Sequence, residues 1–539
     1  MAEKRGKTPK DAREKAAGRA RPRGAPRPED DARASPWLLY VVVFVCGAVL
    51  MGLEMIGSRI LAPYFGNSIF VWGSLISIFL AALTLGYYLG GLVADRWPRL
   101  GVMAILVAAA GLMIFVLPFL YPAINRAIAQ SGLGPRWDPL LASIILFLLP
   151  SVFLGTISPF AIRLAARAVA EVGTTAGSLY AVSTAGSILG TIVTAFYLIG
   201  VAGVARIVHL LGLVLVLLAA GMLVAASRGA LAVGLAVLVA PGAWLGLWRT
   251  AAAEPGVVYE ADSFYHHIKV TDTVSSEGDI RVMDFDKLRQ SGMLKSDPTR
   301  LLLRYSHYFA LAFVFRPDPT DVAIVGLGGG SLPKAFRKAF PDLRIDAVEI
   351  DPEVARVATQ YFDLREDDRL RVAVGDGRLF FLTTDRTYDL VFLDAYNSDT
   401  VPFHLVTQEY YREIKARLKP GGVVAVNLIS GVVGPQSKLF RSVYKTLAAT
   451  FGETYVIPVR WYGNEIPSGL TNVILVATDA KPRLTGEEIA RRAALLGTKL
   501  LSPTELREMA QHLLEQPVPV ADVPLLTDDF APADQLINF

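Results

Sequence analysis

Three acidic residues stand where an apolar run gives way to a loop: Glu349 in "RIDAVEID", Asp376 in "LRVAVGDGRLFF" and Asp394 in "YDLVFLDAYNSD". Ahead of them lies "VAIVGLGGGSLPKAFRKAF", with glycine at 326, 328, 329 and 330. Side chains in such a loop would collide with a ligand lying over it, and the helix restarting after it offers free N–H groups. The predicted cradle is Gly326, Gly328 and Gly330. Glu349 follows about 20 residues on, where an acidic side chain can hold both hydroxyls of a ribose. Asp376, with Gly377, and Asp394 each read singly as a cap or turn residue, but their common position at strand ends points to a site. No Gly-Lys-Ser/Thr follows the loop, and Ser331 stands where a dinucleotide fingerprint needs its last glycine. A nucleoside donor without phosphates fits these residues better.

The elements that must position these groups alternate. From Asp321 onward, strand-like and helix-like segments follow one another as "DVAIVGL", "KAFRKAF", "RIDAVEID", "PEVARVATQYF", "LRVAVGD" and "YDLVFLDAY". This predicts a doubly wound parallel sheet over 320–480, with ligands at the carboxyl ends of its strands. Upstream, "EPGVVYEADSFYHHIKVTDTVSSEGDIRVMDFD" alternates as short hairpins do, with a turn at Glu277-Gly278-Asp279, and predicts a small β subdomain over 255–315. A tail, 481–539, has helical stretches "TGEEIARRAALLG" and "SPTELREMAQHLL". His266 and His267 are adjacent on a strand and face opposite sides, so no metal site is expected.

The order of glycine loop, "VEID", "VGDGRLFF", "YDLVFLDAYNSDTVPFHLVTQEYY" and "LKPGGVVAVN", preceded by β hairpins, resembles the spermidine synthases, the polyamine aminopropyltransferases. The resemblance runs from about 259 to 478 and matches the membrane-fused branch of that family. It implies a Rossmann-like sheet of the class I S-adenosylmethionine-dependent transferase type. It implies Glu349 as ribose ligand, Asp376 with Gly377 as adenine contact, and Asp394 as catalytic aspartate. Gln290 falls on a donor-site glutamine and Tyr305 on the tyrosine that orients the attacking amine. The co-substrate implied is S-adenosylmethionine or its decarboxylated form, the partner a small-molecule amine or amphiphilic acceptor, and the assembly a homodimer through this domain. An alkylamine with a pKa near 10.4 arrives protonated at neutral pH, so a base such as Asp394 must take its proton before it attacks carbon. The chain departs from the family at Gly329, where the family has an aspartate gripping the donor's amine, at Ser306 and His307 in the tyrosine motif, and at Asn397 in the Asp-x-x-Asp loop.

The first half has a different character. The chain is 53% hydrophobic and 19% charged over 539 residues, too apolar to be wholly soluble. Seven apolar segments of about 20 residues, the length that crosses a hydrocarbon core, recur within 37–250. The segment 177–200, dense in Gly, Ser and Thr, reads as a re-entrant element or as a spanning helix that lets neighbours approach closely. Residues 1–36 form a basic tail with few apolar residues, predicted to be disordered and able to meet membrane lipid. Eleven of its first 35 residues are Lys or Arg against six acidic, which accounts for the net charge of +4 and leaves no basic patch for nucleic acid. The expectation is an integral membrane protein with a cytoplasmic N-terminus and a cytoplasmic catalytic domain. Glu54 and Arg59 stand within an apolar helix, as a pathway or a helix-end anchor. Two other functions remain open on the sequence: S-adenosylmethionine-dependent methyl transfer, and a non-catalytic transporter or sensor carrying a degenerate domain.

Overall fold

The computed structural model describes residues 35–536 apart from 67, 132, 135, 167–171, 249–253, 287, 397–400, 461–468 and 497–499. The predicted tail therefore lies outside the described residues save for its last two. Among the described residues, six helices are long and apolar enough to cross a membrane: α1 (Pro36–Phe65), α2 (Ile69–Arg96), α3 (Leu100–Ala129), α4 (Asp138–Ala165), α5 (Val172–Val201) and α6 (Val204–Ala225). The seventh predicted segment forms α7 (Gly229–Trp248), whose described apolar stretch, Gly229–Ala240, falls short of that length. The segment doubted on sequence grounds belongs to α5, a full-length helix lying along α1. A Cβ at Gly186 would come within 2.0 Å of the Phe44 carbonyl, and one at Gly190 within 2.1 Å of that of Ala48. Its small residues are the means of close packing.

The helix ends form two layers. In one, Tyr40 near the start of α1 meets Ser178 near the start of α5 at 3.0 Å, and Asp95 at the end of α2 pairs with Arg163 at the end of α4 at 3.0 Å. The other layer carries the C-terminal domain. Arg59, late in α1, donates to the Phe264 carbonyl. The amide of Val204, opening α6, donates to Asp262 at 3.2 Å, and that of Ile69, opening α2, to Asp534 at 3.4 Å. The domain thus meets the end of α1 remote from its first residue.

The small subdomain is an antiparallel sheet of β1 (Val257–Asp262), β2 (His267–Ser275), β3 (Gly278–Phe285) and β4 (Leu288–Leu294). Its inner face, with Ile268, Val270, Met283 and Phe285, packs on Val354, Val357 and Phe362. Burying each such side chain contributes roughly 1.5–3 kcal/mol, which fixes the subdomain over the larger sheet.

That sheet runs β10-β11-β9-β8-β5-β6-β7. Its parallel part is β5 (Asp321–Val325), β6 (Arg344–Glu349), β7 (Leu370–Val374), β8 (Tyr388–Leu393) and β9 (Leu418–Ser430). β5 and β8 are buried along their whole length, as central strands covered on both faces are. The sheet is mixed and not purely parallel: β11 (Thr471–Thr478) runs antiparallel to both β9 and β10 (Glu453–Pro458). Only twelve residues join β10 to β11, about the least that a parallel crossover needs, so the antiparallel return is the shorter path.

Candidate active site

A cavity of about 530 Å³ lies between β4 and the carboxyl ends of β5 to β8. Gln290, Tyr305, Gly326, Gly328, Glu349, Asp376, Gly377 and Asp394 all line it. These residues come from segments up to 104 positions apart, Gln290 to Asp394, so the fold alone brings them together. Gly330 does not line the cavity. It caps the helix Ser331–Ala339 in the left-handed conformation (φ 67°) and turns the loop into that helix. Gly326 has a second role beside bordering the ligand space: a Cβ there would stand 2.2 Å from the Asp394 carbonyl, where the loop crosses the end of β8.

Asp394 follows directly on β8 and is half-buried in the cavity wall. Tyr305 Oη donates to its Oδ2 at 3.0 Å, and Asn427 Nδ2 to its Oδ1 at 2.8 Å. Asn472 in turn donates to Asn427 Oδ1 at 3.0 Å, which leaves the Asn427 amide hydrogens turned to Asp394. Burial pushes the Asp394 carboxyl up to about 7, and the Asn427 and Tyr305 bonds only partly oppose it. Burial, reinforced by the Asp394 charge, raises the Tyr305 phenol well above its ordinary value, so Tyr305 remains a donor.

Asp389, five residues earlier on the same strand, shows the contrast. Burial pushes it up too, but Lys419, the Thr320 amide and Arg316 outweigh this and hold it far below the usual carboxylate range. It sits at the opposite end of β8, in a paired ionic cluster with Asp321 and Lys419. One strand thus carries a structural aspartate with cations and a second that has only neutral donors, and the second faces the cavity.

At the glycine-loop side of the cavity, Glu349 closes β6. Its oxygens accept the amides of Leu327, in the glycine loop, at 3.1 Å and of Asp351 at 3.0 Å, which fixes the carboxylate under the loop. Burial raises it, against the pull of those amides. Asp376 is both cap and cavity residue: its Oδ1 accepts the amides of Arg378 and Leu379, and its Oδ2 lies 3.0 Å from His404 Nε2. Burial pushes Asp376 up, but those amides and His404 outweigh it and keep it below the ordinary value. Its two sequence readings are therefore compatible.

Tyr305 reaches Asp394 because its helix, Arg304–Phe309, is anchored in the core, with Phe309 edge-on to Phe392 of β8 at 5.3 Å. His307 bonds back to the Leu301 carbonyl at 2.9 Å. Asn397 lies outside the described residues. His266 stacks on Phe285 at 4.5 Å while His267 turns to Asp262 and Glu260. Among the described residues no group of three or more His, Cys, Asp or Glu could hold a metal ion.

Sequence reasoning missed Asn427, Asn472 and His404. A signal existed for Asn427, a lone amide inside the apolar run "GGVVAVNLI"; such a buried polar group must find a partner. His404 and Asn472 carried none.

Residues 306–479 match the spermine/spermidine synthase domain family. The chain carries a spermidine synthase domain. The match spans Asp394, Glu349 and Asp376 and stops just short of Tyr305. A polyamine aminopropyltransferase from Vibrio vulnificus is 28% identical over 290 residues, covering 52% of this chain and 91% of that protein. The eEF1A lysine and N-terminal methyltransferase of Homo sapiens is 35% identical over 160 residues, 28% of this chain and 22% of that protein. The crystal structure of a probable spermidine synthase from Corynebacterium glutamicum, at 18% identity, covers 51% of this chain and all of that one, with a TM-score of 0.39. Relatives named polyamine aminopropyltransferases support a transferase of this kind, joined here to a bundle of apolar helices.

Proposed function

We propose that the protein is a membrane-anchored transferase that moves an aminopropyl or related alkyl group from S-adenosylmethionine, or its decarboxylated form, to an amine. The observation that carries this is Asp394: a half-buried carboxylate at a strand end, held by Tyr305 and Asn427 with no cation beside it among the described residues, in the cavity that also holds Glu349. The residues fit an adenosyl donor, since the glycine loop leaves open space over a floor whose acid is already oriented by two amides. Glu349 would hold the ribose, Asp376 and Gly377 the adenine, and Gln290 the donor's tail. When bound, the donor supplies a carbon made electrophilic by its sulfonium, with a neutral thioether leaving.

The protein's part is to prepare and aim the amine. Asp394, with a pKa near neutrality, takes one proton from the incoming ammonium. Tyr305 keeps the carboxylate in one orientation and hydrogen-bonds at the reacting end, so the freed lone pair points into the cavity. The acceptor is a small or amphiphilic amine, the second kind reaching the site from membrane lipid, and the domain pairs with a second copy.

A specific observation favours a second reading, methyl transfer. At Gly329 a Cβ would come within 2.7 Å of Ser291 Oγ and 2.8 Å of the Phe362 ring, so no acid fits there to demand a donor without its carboxylate. Incubating purified protein with each sulfonium donor and an amine, and identifying the nucleoside released, separates the two. Methylthioadenosine supports alkyl transfer, S-adenosylhomocysteine methyl transfer, and release of neither overturns both.

A further inference from the structure

We infer that the N-terminal tail and the C-terminal α/β domain lie on opposite faces of the membrane, with the tail in the cytoplasm and the domain outside it. Sidedness follows from the helix path and from charge, and does not rest on the transferase activity. α1 runs alongside α5 in the same direction, since Tyr40 meets Ser178, Gly47 meets Ser183, and Gly52 meets Thr194. Both helices end at the domain, α1 through Arg59 and α5 through Gly200, where a Cβ would stand 2.6 Å from the Phe264 ring. With 30 residues at 1.5 Å each, α1 starts about 45 Å from where it meets the domain.

The last helix completes the count. α6 leaves the domain layer at Val204 and ends beside the opposite layer, where Arg228 covers Gly101 at the start of α3. α7 then returns, passing Phe115 in the middle of α3 with Val239 and Gly242. Its described apolar stretch, Gly229–Ala240, is shorter than a full span, but its helical backbone of 20 residues covers about 30 Å, enough to return the chain to the domain layer. Seven passes separate tail from domain.

Charge selects the orientation. The layer away from the domain carries Arg96, Arg99, Arg163 and Arg228, and the sequence running into α1 adds five arginines within about 20 residues of it: Arg19, Arg21, Arg23, Arg27 and Arg33. Among the described residues the domain layer carries Arg126, Arg136 and Arg206, besides Arg59, which is committed to the Phe264 carbonyl. Nine against four puts the tail layer inside, because positively charged flanks stay in the cytoplasm. For a transferase on the outer face, the amine is one met there, and the step that must supply the sulfonium donor is transport across the membrane.

The test is thiol labelling. Cys46 is the only cysteine and is buried in α1, so a Cys46→Ser background accepts single reporters at Asp318→Cys in the domain and Ala20→Cys in the tail. With a membrane-impermeant maleimide on spheroplasts, Asp318→Cys is expected to label without permeabilisation and Ala20→Cys only after it; labelling in mild detergent establishes that both thiols react. Equal behaviour of the two reporters overturns the opposite-face arrangement. A reversed pattern overturns the orientation.

Discussion

Tyr305 Oη and Asp394 Oδ2 are 3.0 Å apart, in a bond that joins the short helix after the small sheet to the end of a central strand. The other carboxylate oxygen is taken by Asn427 at 2.8 Å. Two neutral donors orient the acid without supplying the positive charge that would keep it ionised. Its affinity for a proton therefore stays near neutrality, as a base for an ammonium substrate requires.

Activity should consequently fall as pH drops through about 7, with a slope of one proton, because only the ionised Asp394 accepts. Tyr305 lowers the Asp394 pKa through its hydrogen bond, so Tyr305→Phe should move that limb to higher pH and reduce kcat by about tenfold. Asp394→Asn should reduce kcat by about 10²–10⁴-fold. Profiles of kcat/KM against pH for the three proteins check this. An unmoved limb in Tyr305→Phe would remove Asp394 from the role of base.

Glu349 is held by two backbone amides, and a glutamine there offers an acceptor to only one of them. Glu349→Gln should weaken binding of methylthioadenosine by about 5- to 150-fold, the loss of a buried charged partner. Calorimetric titration measures it, and the rate at saturating donor should change far less than the affinity.

Gly329 is closed to side chains by Ser291 and Phe362. Gly329→Asp should therefore destabilise the domain by about 1–3 kcal/mol through overpacking and not restore an acid to the donor site. A thermal melt, run with donor-binding titration, checks it; a variant of unchanged Tm that gains preference for the decarboxylated donor would contradict the steric account.

Arg59 of α1 holds the carbonyl of Phe264, and Phe264 borders the cavity. Arg59→Ala should raise KM for donor by about fivefold to tenfold with little change in kcat, while Arg59→Lys, which keeps a donor, restores part of it. Steady-state kinetics in detergent separate these. Equal effects of both variants on expression alone would mark Arg59 as purely structural.

Much of the α/β domain is legible in the chain because its signals are local. The glycine loop, the apolar runs of β5 and β8 and the acids closing β6 and β8 are short-range patterns, set by backbone geometry and by central strands being buried on both faces. The antiparallel β10–β11 edge was less legible, because an apolar run looks alike in either direction and only the short link between them decides. In the bundle, hydropathy locates the segments, but the small residues of α5 suit either close packing or re-entry until α1 is seen against them.

The amino-acid sequence by itself determined the class of the domain, the acid closing β6, the strand-end aspartate and the apolar first half, since each depends on residues near one another in the chain. Tertiary structure decided which partners those residues have. Asn427 is 33 positions from Asp394, His404 is 28 from Asp376, and Phe264 is 205 from Arg59. The charge environment that separates Asp394 from Asp389, and the end of α1 on which the domain rests, arise from contacts between distant segments and have no period in the sequence to announce them.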